Sequence, residues 1–300
     1  MKNSETMKKA WGSILVPGGR NGVLLVHSLG GSPLELKFVA NTLGQSGYTV
    51  YCPMLPGLAG GTDVSGLSSW QDWYAALETA YDQLSEECDT VIVGGVSAGT
   101  MLALRLAALR PEKIRGLMLF SPTIWPNGWA IPWYFNLFRI VKQRWVARLF
   151  QFRARNPHGI KDERLRNFIL DSLSGNNSIE DMFGRGGGLV YEFRKLVRSV
   201  KPLLGQVRQH AVIFHPRHDD QSDLSNAMTL QRKLAGMVEV CVLDDCYHMV
   251  TLDRQRGYVA ERAKEFALRL TAASEAGRER IIAGDEAGDG QETGSGSVGA

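Results

Sequence analysis

Six short runs of this chain are apolar at nearly every position: Gly22–Ser28, Tyr48–Met54, Thr90–Val96, Ile114–Ser121, Ala211–Pro216 and Val238–Asp244. Runs this short, apolar at odd and even positions alike, predict parallel strands buried on both faces. Between them the apolar positions recur every third or fourth residue. Pro33–Leu43 places Leu34, Phe38, Val39 and Leu43 on one helical face, and Ser69–Leu84 repeats Trp70, Trp73, Tyr74, Leu77 and Tyr81 behind a serine suited to capping. Ala98–Leu109, Ser222–Leu234 and Gln255–Leu270 complete the helical set. Strand and helix in alternation predict an α/β fold: an open, mostly parallel sheet with helices on both faces.

The alternation lapses between about Pro122 and Val207, where aromatic residues, arginines and the run Gly184–Gly188 replace any clear strand. The expected division is therefore a core of residues 10–122 and 207–272, an inserted helical cap at 123–206, and a disordered tail at 273–300, whose Gly, Glu and Ser leave little to bury. Ser174–Gly188 reads either as a cap hinge or as a loop without a role.

With 300 residues, 44% of them hydrophobic, the chain can bury one large core with an insertion. A net charge of +3 is too mild to argue for nucleic acid. Cys52, Cys88, Cys241 and Cys246 have no metal-like spacing and are too few for a disulfide scaffold, which points to a reducing compartment. The first residues carry charge but no apolar signal core, and no window approaches the roughly 20 apolar residues of a membrane span. The expectation is a cytoplasmic protein.

The candidate chemistry begins at Gly95-Val96-Ser97-Ala98-Gly99. A strand that turns sharply into a helix can push one side chain out of the top of a sheet, and small residues on either side let strand and helix approach. Ser97 would then sit at a helix N-terminus, where outward N–H groups favour a developing negative charge. A serine hydroxyl needs a base, and the base needs a carboxylate to orient it. In such sheets these partners follow on later strand ends, in the order serine, acid, histidine. Asp219, Asp220 and Asp223 follow the strand that ends near Pro216, and His248 follows the last strand. Asp219 is the first choice of acid, Asp220 the second, and Asp223 suits a helix cap. His215 and His218 flank the acid, and no metal is expected. The segment Leu24–Pro33, freed by Gly30 and Gly31, could bring backbone N–H groups to the same oxygen as Ala98. No phosphate-loop G-K-[ST] pattern is present.

These pieces, GVLLVHSLGGSP, GVSAGT, RHDD and YHMVTLD, resemble the α/β-hydrolases, and within them the bacterial carboxylesterase and monoacylglycerol-lipase group. The resemblance spans roughly Ile14 to Leu270. It implies Ser97 as nucleophile, Asp219 as acid, His248 as base, and Leu29 and Ala98 as oxyanion donors. It also implies an enzyme without metal or cofactor, acting on short or medium acyl esters or monoglycerides. Three positions depart from the family pattern: Ser28 where glycine is usual, Leu58 where a histidine is usual, and Thr100 in place of a second elbow glycine.

The insertion combines Trp125, Trp129 and Trp133 with Arg139, Lys142, Arg144 and Arg148. Such a cap would exclude water and line an acyl pocket. Its basic and aromatic mixture also reads as a face resting on an anionic membrane, or simply as the cap's own core with a wet side. The favoured function is a serine esterase. A thioesterase or acyltransferase would use the same triad, and a catalytically silent binding protein would keep the fold without the chemistry.

Overall fold

The computed structural model describes residues 12–58, 68–152, 156–173 and 185–288. Residues 1–11, 59–67, 153–155, 174–184 and 289–300, which include most of the 174–188 segment and the end of the tail, lie outside the described residues.

Seven strands form one sheet: β1 (Ile14–Val16), β2 (Asn21–Val26), β3 (Thr49–Cys52), β4 (Thr90–Val96), β5 (Ile114–Phe120), β8 (His210–Pro216) and β9 (Val238–Leu243). Their spatial order is β1-β3-β2-β4-β5-β8-β9, with every pairing parallel except β1 against β3. Each apolar run noted in the sequence became a strand. Successive side chains of one strand serve opposite layers: Leu24 and Val26 enter one core, Val23 and Leu25 the other. The first layer is covered by α2 (Trp70–Glu87), α3 (Gly99–Leu109), α6 (Gly187–Val200) and α7 (Ser225–Lys233). The second is covered by α1 (Lys37–Gln45) and α8 (Arg256–Gly288). Ser69 caps α2 through a reciprocal pairing with Asp72, which satisfies two N–H groups at that helix start.

The insertion between β5 and β8 holds a 3-10 segment (Trp133–Ile140), a single turn α4 (Arg144–Ala147), α5 (Glu163–Leu173) and α6. It also holds an unforeseen two-residue antiparallel ladder, β6 (Gln151–Phe152) with β7 (Arg185–Gly186). Phe135, Phe138, Ala147 and Val190 form a small core of its own, with Trp125 packed against it. Phe193, Leu196, Val197 and Val200 of α6 belong instead to the main core, so packing crosses the boundary drawn at residue 206.

The tail is a correction. Disorder was expected from residue 273, yet α8 continues to Gly288. Ala, Glu and Arg dominate that stretch, and adding a residue to a nucleated helix requires only good propensity, not an apolar face. Among the described residues no helix is long and apolar enough to cross a membrane.

Candidate active site

The carboxyl ends of five adjacent strands, β2, β4, β5, β8 and β9, deliver the site. Ser97 follows β4 with φ +52°, a left-handed conformation that a non-glycine residue adopts only when its surroundings force it. The flanking glycines make the turn possible. A Cβ on Gly99 would lie 2.5 Å from the Val26 carbonyl oxygen and 2.6 Å from that of His27. One on Gly95 would lie 2.6 Å from the Gly99 carbonyl carbon. The Thr100 hydroxyl donates to the Ser97 carbonyl, which gives that departure from the family pattern a structural task in the first turn of α3.

Asp219 and His248 are paired. The imidazole Nδ1 lies 2.8 and 3.0 Å from the two carboxylate oxygens of Asp219. An ionised carboxylate only accepts, so Nδ1 carries the proton and Nε2 is the basic nitrogen. Asp219 also accepts the N–H groups of Gln221 at 2.7 Å and Ser222 at 2.8 Å. Burial alone would raise its pKa, but the His248 imidazole and these donors outweigh burial and hold it below the usual carboxylate range. Asp220 is not paired with the imidazole. Burial and the neighbouring charge of Asp219 raise its pKa. Asp223 accepts the Ser225 N–H at 2.9 Å where α7 begins. His215 is buried, with Nε2 donating to the Ser222 carbonyl at 2.8 Å.

No hydrogen bond joins Ser97 to His248. Ser97 Oγ lies 3.2 Å from Thr123 Oγ1, and His248 Nε2 is buried without a hydrogen-bond partner. The two sides are nonetheless joined: Thr123 Oγ1 contacts the Ser121 carbonyl at 3.3 Å, and the Ser121 hydroxyl donates to the His248 carbonyl at 2.6 Å. Sequence reasoning did not single out Ser121 and Thr123, although they stand at the end of β5, where the strand-end rule that nominated the others also applies.

Leu29 and Ala98 are buried, and neither backbone N–H meets a protein acceptor among the described residues. Orphaned donors at a helix start suit an oxyanion. Ser28 adds no further donor, because its N–H and hydroxyl both bond the Glu35 carboxylate, at 3.0 and 2.9 Å. A Cβ on Gly31 would overlap that carboxylate. Leu58 is fully buried, and its carbonyl accepts the Gly30 N–H at 2.7 Å, steadying the same loop. His27 donates from Nδ1 to the Ser28 carbonyl and accepts the Leu55 N–H at Nε2.

Of the three tryptophans, Trp129 lies at the loops that carry Asp219 and His248, donating to the His218 carbonyl at 3.1 Å and meeting Tyr247 edge-on. Trp125 packs on Phe135 under Arg139, and Trp133 is 78% exposed. They occupy three different environments. No cluster of potential metal ligands occurs among the described residues.

The model of the alpha/beta hydrolase family matches residues 23–262. The chain belongs to that family. It is 25% identical over 257 residues to the thermostable monoacylglycerol lipase of Bacillus sp. (strain H-257), covering 83% of this chain and 90% of that one. Among solved structures, this α/β hydrolase resembles a metagenome-derived lipolytic enzyme (TM-score 0.70, 24% identity, 87% and 98% of the two chains). It also resembles the monoacylglycerol lipase of Paleococcus ferrophilus (TM-score 0.69, 15% identity, 86% and 98%).

Proposed function

We propose that this α/β hydrolase cleaves carboxylic esters, monoglycerides or short- and medium-chain acyl esters, through Ser97, His248 and Asp219. The family and the lipolytic relative support ester hydrolysis. The observation that carries the triad is the Asp219–His248 pair, which leaves Nε2 free and basic on the same row of strand ends as the Ser97 elbow. Rotation of the Ser97 side chain away from Thr123 closes the relay. Oγ then attacks the ester carbonyl as Nε2 takes its proton, and Asp219 stabilises the imidazolium. The N–H groups of Leu29 and Ala98 hold the oxyanion. The imidazolium returns its proton to the leaving alcohol. Water, activated by the same nitrogen, then releases the acid. Residues 123–206 act as the cap, with Trp129 beside the triad loops.

A panel of p-nitrophenyl esters and monoglycerides graded by chain length, run on wild type and Ser97→Ala, tests this. Turnover falls by about 10⁴ or more in the variant; a loss of only a few-fold rejects Ser97. The same panel with an added alcohol or thiol separates hydrolysis from acyl transfer. The open link between Ser97 and His248 favours one second reading, a silent scaffold. In that case a fluorophosphonate leaves the serine unlabelled.

The cap exposes Trp133, Ile140, Trp145 and Leu149 beside Arg139 and Lys142, a chemistry suited to an anionic lipid surface. Sedimentation with phosphatidylglycerol vesicles, lost in high salt and in Trp133→Ser, supports that contact. No sedimentation at low salt refutes it.

A further inference from the structure

Two buried aspartates outside the triad share one pattern. Asp220, 1% exposed, accepts the Gly159 N–H at 2.8 Å on one oxygen and the His248 N–H at 3.3 Å on the other. Asp253, fully buried, accepts Lys161 N–H at 2.7 Å, Asp162 N–H at 3.0 Å, Tyr247 N–H at 2.8 Å and Arg254 N–H at 2.9 Å. Each carboxylate therefore takes donors from the same two segments: the 159–162 stretch of the insertion and the loop that carries His248. Between them the Met249 N–H donates to the Gly159 carbonyl at 2.8 Å. Gly159 has φ +80°, and a Cβ there would stand 3.3 Å from the His248 Cβ and 2.9 Å from Met249 Cγ.

A carboxylate offers only acceptors, about four lone-pair sites on two oxygens, and its bonds to N–H groups are roughly twice as strong as neutral ones. Burying two of them is costly unless those sites are filled. Here backbone N–H groups from the two segments supply four donors to Asp253 and one to each oxygen of Asp220. Neither segment is a helix or strand at these positions, so little else fixes their relative placement.

We infer that Asp220 and Asp253 are positioning residues that seat the backbone of the catalytic histidine loop on the 159–162 stretch of the insertion, so that base and cap move as one unit. The inference rests on the triad reading for its catalytic consequence and on the hydrogen bonds alone for its structural one. Insertion and triad are then coupled: a change that shifts the 159–162 stretch displaces the imidazole on its Asp219 partner. A displacement near 1 Å costs up to about 10²-fold in rate.

The test uses the full chain as wild type, Asp220→Asn, Asp253→Asn, the double variant and Gly159→Ala. Two quantities are read with a fluorophosphonate: the fraction of protein labelled at saturation and the labelling rate constant of that fraction. A merely structural role lowers the fraction. Positioning lowers the rate constant, by roughly tenfold or more in each single variant, and by less than the product of the two in the double variant. Gly159→Ala, which disturbs the seat from the insertion side, lowers it as well. Unchanged rate constants in both single variants overturn the inference. Amide hydrogen exchange on the same proteins reads the seat without catalysis. In Asp220→Asn the amides of Gly159 and His248 lose protection together. Should His248 keep its protection while Gly159 loses it, the shared seat is refuted. Wild type that fails to label at all counts against the triad reading, and the exchange result still decides the seat.

Discussion

Gly99→Ala asks whether the elbow is built as its geometry implies. The added Cβ would meet two backbone carbonyl oxygens, Val26 at 2.5 Å and His27 at 2.6 Å, whereas ordinary contacts begin at 3.4 Å. Neither oxygen can swing aside like a side chain, because both belong to the backbone, and Val26 is held in register with Gly95 of β4. The start of α3 must retreat instead, by roughly 0.9 Å if contact is fully restored (3.4 less 2.5). Overpacking of this kind costs about 1–3 kcal/mol. Ser97 sits two residues before the added methyl and Ala98 one, so the proposed nucleophile and oxyanion donor shift with the helix. A displacement near 1 Å predicts a 10- to 10²-fold slower reaction per active molecule. Urea unfolding gives the first quantity, and fluorophosphonate labelling corrected for the labelled fraction gives the second. Gly205→Ala is the control: its Cβ would meet nothing within 4 Å, so stability should change by less than about 0.5 kcal/mol and the rate not at all. A Gly99→Ala protein with wild-type stability and rate would refute the packing argument.

Asp219→Asn keeps an acceptor for the Gln221 and Ser222 N–H groups but unsettles the imidazole tautomer, and should lower kcat by about 10⁴ while leaving the protein folded; a loss under tenfold in p-nitrophenyl ester turnover moves the acid elsewhere. Burial holds His27 down at about 4 against an ordinary 6.5. The unfolded chain therefore binds the extra proton first, and the His27 contribution, roughly 3 kcal/mol, is complete above pH 6.5 and is lost as pH falls toward 4. Replacing His27 with Gln should flatten that window in urea unfolding measured across pH; an unchanged slope contradicts it. Thr123→Val removes the hydroxyl that lies 3.2 Å from Ser97 Oγ; if that contact competes with the proposed base, a hydrogen bond worth about 0.5–1.5 kcal/mol predicts a two- to tenfold faster labelling rate. Slower labelling would mean that Thr123 assists the reaction instead.

The sheet and the elbow were legible because both are local. A run of β-branched and aliphatic residues bounded by turn residues reads as a buried strand without knowledge of its partners, and Gly95 and Gly99 stand within two residues of Ser97. Asp219 and His248 were singled out through strand ends, a rule of topology rather than contact, and the structure pairs their side chains. β1 went unread because Ile14–Val16 is three residues long and gains its identity only by pairing with β3. The β6–β7 ladder joins residues over thirty positions apart with two residues on each side, too little for any pattern. The seats made by Asp220 and Asp253 were hidden for the same reason: an aspartate that binds backbone N–H groups leaves no mark on the sequence of its partner. The tail was misread because apolar content was used where helix propensity decided.

The measurement that bears most directly on the triad is covalent labelling by a fluorophosphonate with the modified peptide identified by mass spectrometry. The account predicts one adduct, on Ser97, absent from Ser97→Ala and slowed by orders of magnitude in His248→Gln. Ester hydrolysis by wild type with the adduct on another residue, or with His248→Gln labelled at the wild-type rate, would contradict it.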